Sequence, residues 1–457
     1  MKQSMFREFS IRGEADRDLP DATVQKIGQA IGTYFANRSL GSLVIGHDVR
    51  LSSPRISEAL IAGLLTTGAS VIDIGLVPTP VLNFAVDHYQ ASGGIMITAS
   101  HNPAKDNGLK LRAEETLTGQ ALQDIYHIAV QGTFNQGHGS VQKQSGLSPY
   151  LVALQQRLTT NQPHKIVIDG GNGINGKVVS DFLRGLGHTV IEVFTEPDGQ
   201  FPNRSPDPTG PDALLVAGQA VVDHQADFGF AYDGDGDRVA LIDENGSPHY
   251  GDIILMLLAR HALQAGPTHV VHDVSCTKAL ADDITNNGGM AHPAAVGYAF
   301  VHTKMREVEA TLGGETAGHI FYLDDAFLFD DAILASVKLL NYFSNAAQPV
   351  SALVADLPRY HTSPNLRIYC PDDLKVSFIQ TVVQHYQKTN AVNTIDGAKI
   401  DFEQGWALVR QSNTQPAISL RFEGETEAQM KQIQAEVMAY LQETLKAFGI
   451  EEAGDVH

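Results

Sequence analysis

The densest chemistry in the sequence lies in "AYDGDGDRVA", where Asp233, Asp235 and Asp237 alternate with glycines after the apolar run "DFGFAY". Three carboxylates this close repel one another, and a hard divalent cation bound through oxygen would relieve them. Mg2+ is the natural occupant. An EF-hand calcium loop is the rival pattern, because the three aspartates fill its first three ligand positions and Glu244 falls at its last. The sixth position of such a loop requires Gly and here is Arg238, and no helical pattern precedes it. A solvated acidic turn is the plain alternative, since Asp-Gly repeats also occur in turns.

A second segment, "TASHNPAKDNG", follows the apolar run Ile95-Met96-Ile97. Ser100 at the end of a strand, on a turn built by His101-Asn102-Pro103 and Asn107-Gly108, is placed to act as a nucleophile or phosphoryl carrier. Serines beside Asn and Pro are also common turn formers, and no G-x-S-x-G elbow surrounds this one. Lys110, just downstream, is placed to neutralise phosphate charge or, as the neutral amine, to take a proton.

In "GGETAGH", Glu315 and His319 stand among glycines that permit close backbone approach to a ligand. Glu315 suits sugar hydroxyls and His319 suits proton transfer near neutral pH. A lone Glu or His is more often structural. "RQSNTQPAISLR" offers Arg410, Ser412, Asn413, Thr414 and Arg421, a set of guanidinium, hydroxyl and backbone donors suited to a phosphate dianion. Ser-Asn-Thr before Pro is also ordinary turn chemistry.

The elements that must position these residues follow an α/β rhythm. "LPDATVQKIGQAIGTYF" has helical spacing of Val24, Ile27, Ile31, Tyr34 and Phe35, and "SLVIGHD" reads as a short buried strand. The strand-then-Asp pattern returns in "KIVIDGGNG", ending at Asp169, and "HVVHDVSCT", ending at Asp273. Each leads into a helix and a Gly-containing turn to another strand, which predicts three related units with largely parallel sheets. From about residue 360 the rhythm changes: "NLRIYCP" reads as a strand, "DLKVSFIQTVVQHYQ" as a helix, and "AKIDFEQGWALVRQ" and "AISLRFEGE" as two strands before a last helix. In that helix Met430, Ile433, Val437, Tyr440, Leu441 and Phe448 share one side, and Thr426 with Gln429 offers a capping box. The fold class expected is therefore α/β, three related domains with mixed or parallel sheets plus a C-terminal α+β domain. The predicted divisions are 1–147, 148–246, 247–359 and 360–457.

Composition narrows the function. The 52 acidic against 32 basic residues give a net charge of -20, which argues against nucleic acid or an anionic membrane surface as partner. The N-terminal segment is too charged for a secretory signal, and no apolar stretch approaches the roughly 20 residues of a membrane span, so a cytoplasmic enzyme or binding protein is expected. Cys276 and Cys370 have no metal-ligand or CxxC spacing, so a disulfide scaffold and a structural zinc site are not indicated.

Together and in this order, "FREFSIRG", "TASHNP", "DGGNG", "DGQFPNRSPDP", "DGDGDR", "GGETAGH" and "RQSNTQP" resemble the α-D-phosphohexomutase superfamily, and most closely its bacterial phosphomannomutase/phosphoglucomutase branch. The resemblance runs nearly end to end. It implies four domains around a central cleft, the last a mobile lid, and an active enzyme in which Ser100 carries phosphate. It further implies that Asp233, Asp235, Asp237 and an oxygen on Ser100 hold Mg2+, with Arg12, Lys110 and Arg238 balancing charge nearby. The implied reaction moves phosphate between carbon 1 and carbon 6 of a hexose, with a hexose 1,6-bisphosphate as intermediate and activator and sugar phosphates as the small-molecule partners. His101 and His319 fall in the catalytic set, and Glu315, Tyr298, Arg410, Ser412, Asn413 and Thr414 in the substrate set.

Several positions depart from the family pattern: Phe9 where Tyr is common, Ser10 for Asp, Ala317 for a sugar-binding serine, Tyr298 where His is frequent, and Ser275 where Lys is frequent. These departures fall on substrate-contacting segments and spare the serine and metal loops. They keep two other readings open, a phosphoglucosamine mutase and a paralogue that binds sugar phosphates without turning them over.

Overall fold

The computed structural model describes residues 1–38, 41–160, 162–210, 212–412 and 416–450. Backbone contacts divide the chain into two units, Met1–His261 with Ala317–Val354, and Ala262–Thr316 with Ala355–His457. The architecture is α/β, as the alternation of buried strands and amphipathic helices requires, and the described residues form four sheets.

In the first unit, a six-stranded sheet runs in the order Ile11–Glu14, Asp106–Arg112, Gly93–Ile97, Ser42–His47, Ser70–Leu76, Val141–Lys143. The four strands from Gly93–Ile97 outward are parallel, whereas Asp106–Arg112 is antiparallel to both its neighbours. That reversal has a local cause. Gly93–Ile97 and Asp106–Arg112 are joined by the short serine loop, and so few residues can return the chain only as a hairpin. The sheet's core is aliphatic, with Ile27, Ile31, Leu43, Ile45, Leu60, Ile95, Ile97 and Leu109 all buried.

A second sheet repeats the scheme: Lys165–Asp169 lies parallel between Thr189–Val193 and Phe228–Tyr232, and Val239–Ile242 returns antiparallel on the latter. The second and first sheets are therefore mixed, and each antiparallel return carries a loop rich in chemistry. In the second unit His269–Asp273 lies parallel between Met290–Ala294 and Leu312–Gly314. The recurrent aspartates have a common use. Asp48 accepts from Arg50 N and Ser53 Oγ, Asp169 from Gly171 N, and Asp273 from Ser275 N and Thr316 N. Each buried carboxylate thus ties down the turn that leaves its strand.

The C-terminal domain holds an antiparallel sheet in which Ala417–Gly424 pairs with Gly405–Gln411, His361–Thr362 and Leu366–Tyr369. The stretch expected as one strand over "AKIDFEQGWALVRQ" is a hairpin, Ala398–Phe402 and Gly405–Gln411, turning at Glu403-Gln404. Fourteen residues far exceed the roughly 5–6 of a typical strand, and the two polar residues before Gly405 make the break. The helix Glu427–Ala447 starts on the Thr426–Gln429 capping box and buries Met430, Ile433, Val437 and Leu441, with Tyr440 and Phe448 packed at the margin. Among the described residues no helix is long and apolar enough to cross a membrane.

Candidate active site and metal centre

The serine loop is built around a buried arginine. Arg50, completely inaccessible, is paired with Asp48 at 3.2 Å and donates to the carbonyls of Ser100, Asn102, Pro103 and Asp106 at 2.6–2.9 Å. Five fixed donors on one planar group mould the loop. Asp48 also accepts from Thr98 Oγ1 (2.7 Å), which in turn accepts from Ser100 N (2.8 Å). Held from both sides, Ser100 adopts a φ of 51°, a region that non-glycine residues rarely visit and that clusters at functional positions. Its Oγ, on a residue 2% exposed, donates to Asp233 Oδ2 at 2.7 Å. His101 Nδ1 lies 3.2 Å from the same oxygen.

The acidic triplet sits in the turn between Phe228–Tyr232 and Val239–Ile242, two paired antiparallel strands where an EF-hand loop is flanked by two helices, which rules out the EF-hand reading. Glu244, the twelfth position of that pattern, instead accepts from Ser351 N and Oγ. The solvated-turn reading also fails, because Asp233 and Asp235 are 0% exposed and Asp237 is 2%. The interposed glycine is needed for close approach: a Cβ on Gly234 would stand 2.5 Å from Ser100 O. The loop from the second sheet can therefore seat directly on the serine loop of the first.

Cations compensate part of this charge. Lys110 donates to Asp235 Oδ2 at 2.7 Å and Asp237 Oδ2 at 2.5 Å, and Thr79 Oγ1 donates to Asp235 Oδ2 at 2.7 Å. Arg238 lies 3.1 Å from Asp233 Oδ2 and 3.5 Å from Asp207 Oδ1. Arg12 donates to Ala99 O (3.1 Å), Asn102 Oδ1 (2.8 Å) and Ser10 Oγ (3.0 Å), bracing the serine loop from its other flank. Burial, then repulsion from Asp237 and Asp235, pushes the Asp233 carboxyl up to about 7. Burial works against ionisation of Asp235 too, yet the Lys110 charge and hydrogen bonds from Lys110 and Thr79 hold its carboxyl below the usual range. His101 is pushed well down, first by burial and then by the Arg238 charge, which keeps its imidazole neutral.

One carboxylate oxygen from each aspartate lies within 4.8 Å of the others. Asp235 Oδ1 and Asp237 Oδ1 are buried and have no hydrogen-bond partner. Two orphaned anionic oxygens in a dry site are costly unless a cation takes them, so the triplet fits a hard metal ion bound through oxygen. His319 approaches the same region: its Nδ1 is 2.7 Å from Asp330 Oδ2 and 3.7 Å from Asp237 Oδ1. The first unit thus brings together Ser100, His101, the three aspartates, Lys110, Arg12, Arg238 and His319.

The second unit holds the rest of the expected set. Glu315 is buried and accepts from Gly297 N at 2.5 Å, beside Tyr298 at the start of the helix Tyr298–Glu307. Arg410 is buried and paired with Asp396, and Ser412 N donates to Ala417 O at 2.9 Å. Arg421 donates to Ser275 O (2.7 Å) and Thr316 Oγ1 (3.1 Å). Asn413 and Thr414 lie outside the described residues.

Sequence reasoning missed Arg50, Thr79, Thr98, Asp207 and Asp330. Their roles appear only when segments separated in the chain become neighbours, as Thr79 does to Asp235 and Arg50 to the serine loop. "HDVRLSSP" did carry a signal, since an Asp and an Arg two residues apart after a buried strand invite a local pair.

The fold and the site define an α/β protein that holds a serine hydroxyl against a buried cluster of oxygen ligands. Models described as phosphoglucomutase/phosphomannomutase alpha/beta/alpha domains I, II and III and C-terminal domain match residues 3–136, 148–246, 250–360 and 364–439. The chain is 35% identical over 433 residues to a phosphomannomutase/phosphoglucomutase of Pseudomonas aeruginosa, covering 94% of each. It is 34% identical to a phosphoglucomutase of Neisseria gonorrhoeae, covering 96% of this chain and 97% of that one. A solved phosphoglucomutase/phosphomannomutase family protein of Burkholderia thailandensis matches with a TM-score of 0.91 at 32% identity, over 100% of this chain and 99% of that one. The chain belongs to the phosphoglucomutase/phosphomannomutase family and is an enzyme of that mutase class.

Proposed function

We propose that this enzyme interconverts hexose 1-phosphate and hexose 6-phosphate of mannose and glucose, with Ser100 as the phosphate carrier and a hexose 1,6-bisphosphate as intermediate and activator. The observation that carries the reading is the 2.7 Å contact between Ser100 Oγ and Asp233 Oδ2, which joins the serine loop to the acidic triplet across 133 positions of sequence. Asp233, Asp235, Asp237 and an oxygen on Ser100 would hold Mg2+, which supplies positive charge to the transferring phosphoryl group. We take the divisions at 1–147, 148–246, 247–359 and 360–457 as the four domains of this machine.

In the forward half-reaction the phosphorus–Oγ bond of phosphoserine breaks and a bond forms from phosphorus to a sugar hydroxyl oxygen. The hydroxyl proton leaves to a base, for which His319, oriented by Asp330, is the candidate, with Lys110 close to the triplet. Arg12, Lys110 and Arg238 surround the serine with fixed positive charge, the electrostatic contribution on which phosphoryl transfer depends. The intermediate then presents its other phosphate to Ser100: a bond forms from that phosphorus to Oγ, the bond from it to the second sugar oxygen breaks, and that oxygen takes back the proton held by the base. Glu315 and Tyr298 are assigned to the sugar, and Arg410 with the Ser412–Thr414 turn to the phosphate remote from the chemistry.

The test is a comparison of mannose 1-phosphate, glucose 1-phosphate and glucosamine 1-phosphate as substrates, with Mg2+ and catalytic glucose 1,6-bisphosphate. Turnover of the first two to 6-phosphates is expected. Preference for glucosamine phosphate would replace the assigned sugar, and binding without turnover of any would make the chain a sugar-phosphate binder.

A further inference from the structure

Asp396 belongs to none of the sets above, yet it stands where two of them meet. It precedes the hairpin strand Ala398–Phe402, whose partner Gly405–Gln411 carries Arg410. Its Oδ2 accepts from Arg410 Nε at 2.7 Å and from Val296 N at 3.0 Å. The placement is enforced by the next residue. Gly397 has a φ of +82°, and a Cβ there would stand 2.4 Å from Val409 O and 2.8 Å from Arg410 Cα, so the turn lies directly on the backbone of Arg410.

Two features show what this contact leaves available. Arg410 Nη2 is buried and has no hydrogen-bond partner, so Asp396 occupies the Nε end of the guanidinium while an Nη donor remains for an anion. Val296 N is followed by Gly297 N, which donates to Glu315 Oε1 at 2.5 Å. Two successive amides are thus held by two carboxylates, one next to the residue assigned to the remote phosphate and one assigned to the sugar. Tyr298 follows immediately.

We infer that Asp396 is a positioning residue that aims Arg410 at the remote phosphate and, through Val296 N, ties that phosphate site to the sugar-binding turn at Gly297-Tyr298. A planar guanidinium fixed at Nε can meet a phosphate dianion only through its Nη edge, which gives the phosphate a set direction as well as charge. The inference rests on the assignment of Arg410 to phosphate under the proposed function.

The experiment measures equilibrium binding of glucose 1-phosphate to the full chain in a Ser100→Ala background, where turnover cannot intrude, for Asp396→Ala, Asp396→Asn, Arg410→Ala and the double variant Asp396→Ala/Arg410→Ala. Asp396→Ala is expected to weaken binding about tenfold or more, the scale of one charge-assisted hydrogen-bond network. Asp396→Asn, which keeps an acceptor, is expected to recover part of that loss. The double variant is expected to lose less than the sum of the two single losses, because the part of the Asp396 effect that passes through Arg410 goes with its partner while the part that passes through Val296 N remains. Affinity unchanged within twofold in both Asp396 variants, or losses that simply add in the double variant, overturns the inference. Should Asp396→Ala unfold, the Asn variant and its cycle with Arg410→Ala decide by the same criteria. Absence of binding by the Ser100→Ala parent itself would instead count against the proposed function.

Discussion

Ser100 carries a backbone cost and a chemical role that substitution can separate. Ser100→Ala and Ser100→Gly both remove the hydroxyl that contacts Asp233, and both are expected to abolish mutase turnover. They differ at the φ of 51°, which glycine adopts without strain. Thermal or urea unfolding is therefore expected to find the Gly variant more stable than the Ala variant by up to about 1 kcal/mol. Equal stabilities would mean that the loop relaxes on its own and that the strain is not enforced by Arg50. At this scale the sequence was informative where chemistry is concentrated locally, as in the alternating aspartates, and silent where it depends on convergence. Thr79 is one hydroxyl after a Pro in a helix-forming segment, and nothing in "VPTP" points to Asp235, 156 positions away.

The elements that present these residues were largely legible. Three strand-then-Asp segments became three parallel strands whose aspartates bind the turns that follow, and the Thr426–Gln429 box opens the last helix as its spacing requires. The hairpin at Glu403-Gln404 was not read, since apolar residues stand on both sides of the turn, alternating in Ala398–Phe402 and continuous over Trp406–Val409, and two polar residues between them are a weak break. A buried cap offers a second test. Asp331 caps the helix Ala332–Asn345, accepting from Ile333 N, Leu334 N and Tyr150 Oη, and burial pushes its carboxyl up from 3.8 to about 7. The unfolded chain thus releases this proton first as pH rises. The stability the group contributes is complete below about pH 4, falls between about 4 and 7, and is constant above. Asp331→Asn keeps a competent cap that never ionises, so it is expected to match the parent near pH 4 and exceed it by on the order of 1–3 kcal/mol above pH 7. A difference that does not vary with pH would show that Asp331 is ionised in the folded chain throughout.

At the scale of the whole chain, likeness to family members runs through all four matched domains, and the departures at Phe9, Ser10, Ser275, Tyr298 and Ala317 leave the serine and acidic loops untouched. Two of these positions have local partners: Ser10 Oγ accepts from Arg12, and Ser275 N donates to Asp273. The central claim is that Ser100 receives phosphate in a centre completed by a metal on the aspartate triplet. It is tested most directly by incubating the protein with radiolabelled glucose 1,6-bisphosphate, with Mg2+ or with excess chelator, and locating the label by peptide mass spectrometry. Label on Ser100 in the presence of Mg2+, chased into sugar phosphate by unlabelled hexose 1-phosphate and strongly reduced by chelator or Asp237→Asn, is the outcome the account predicts. Turnover that persists with no phosphate on Ser100, or with the label on another residue, would contradict it.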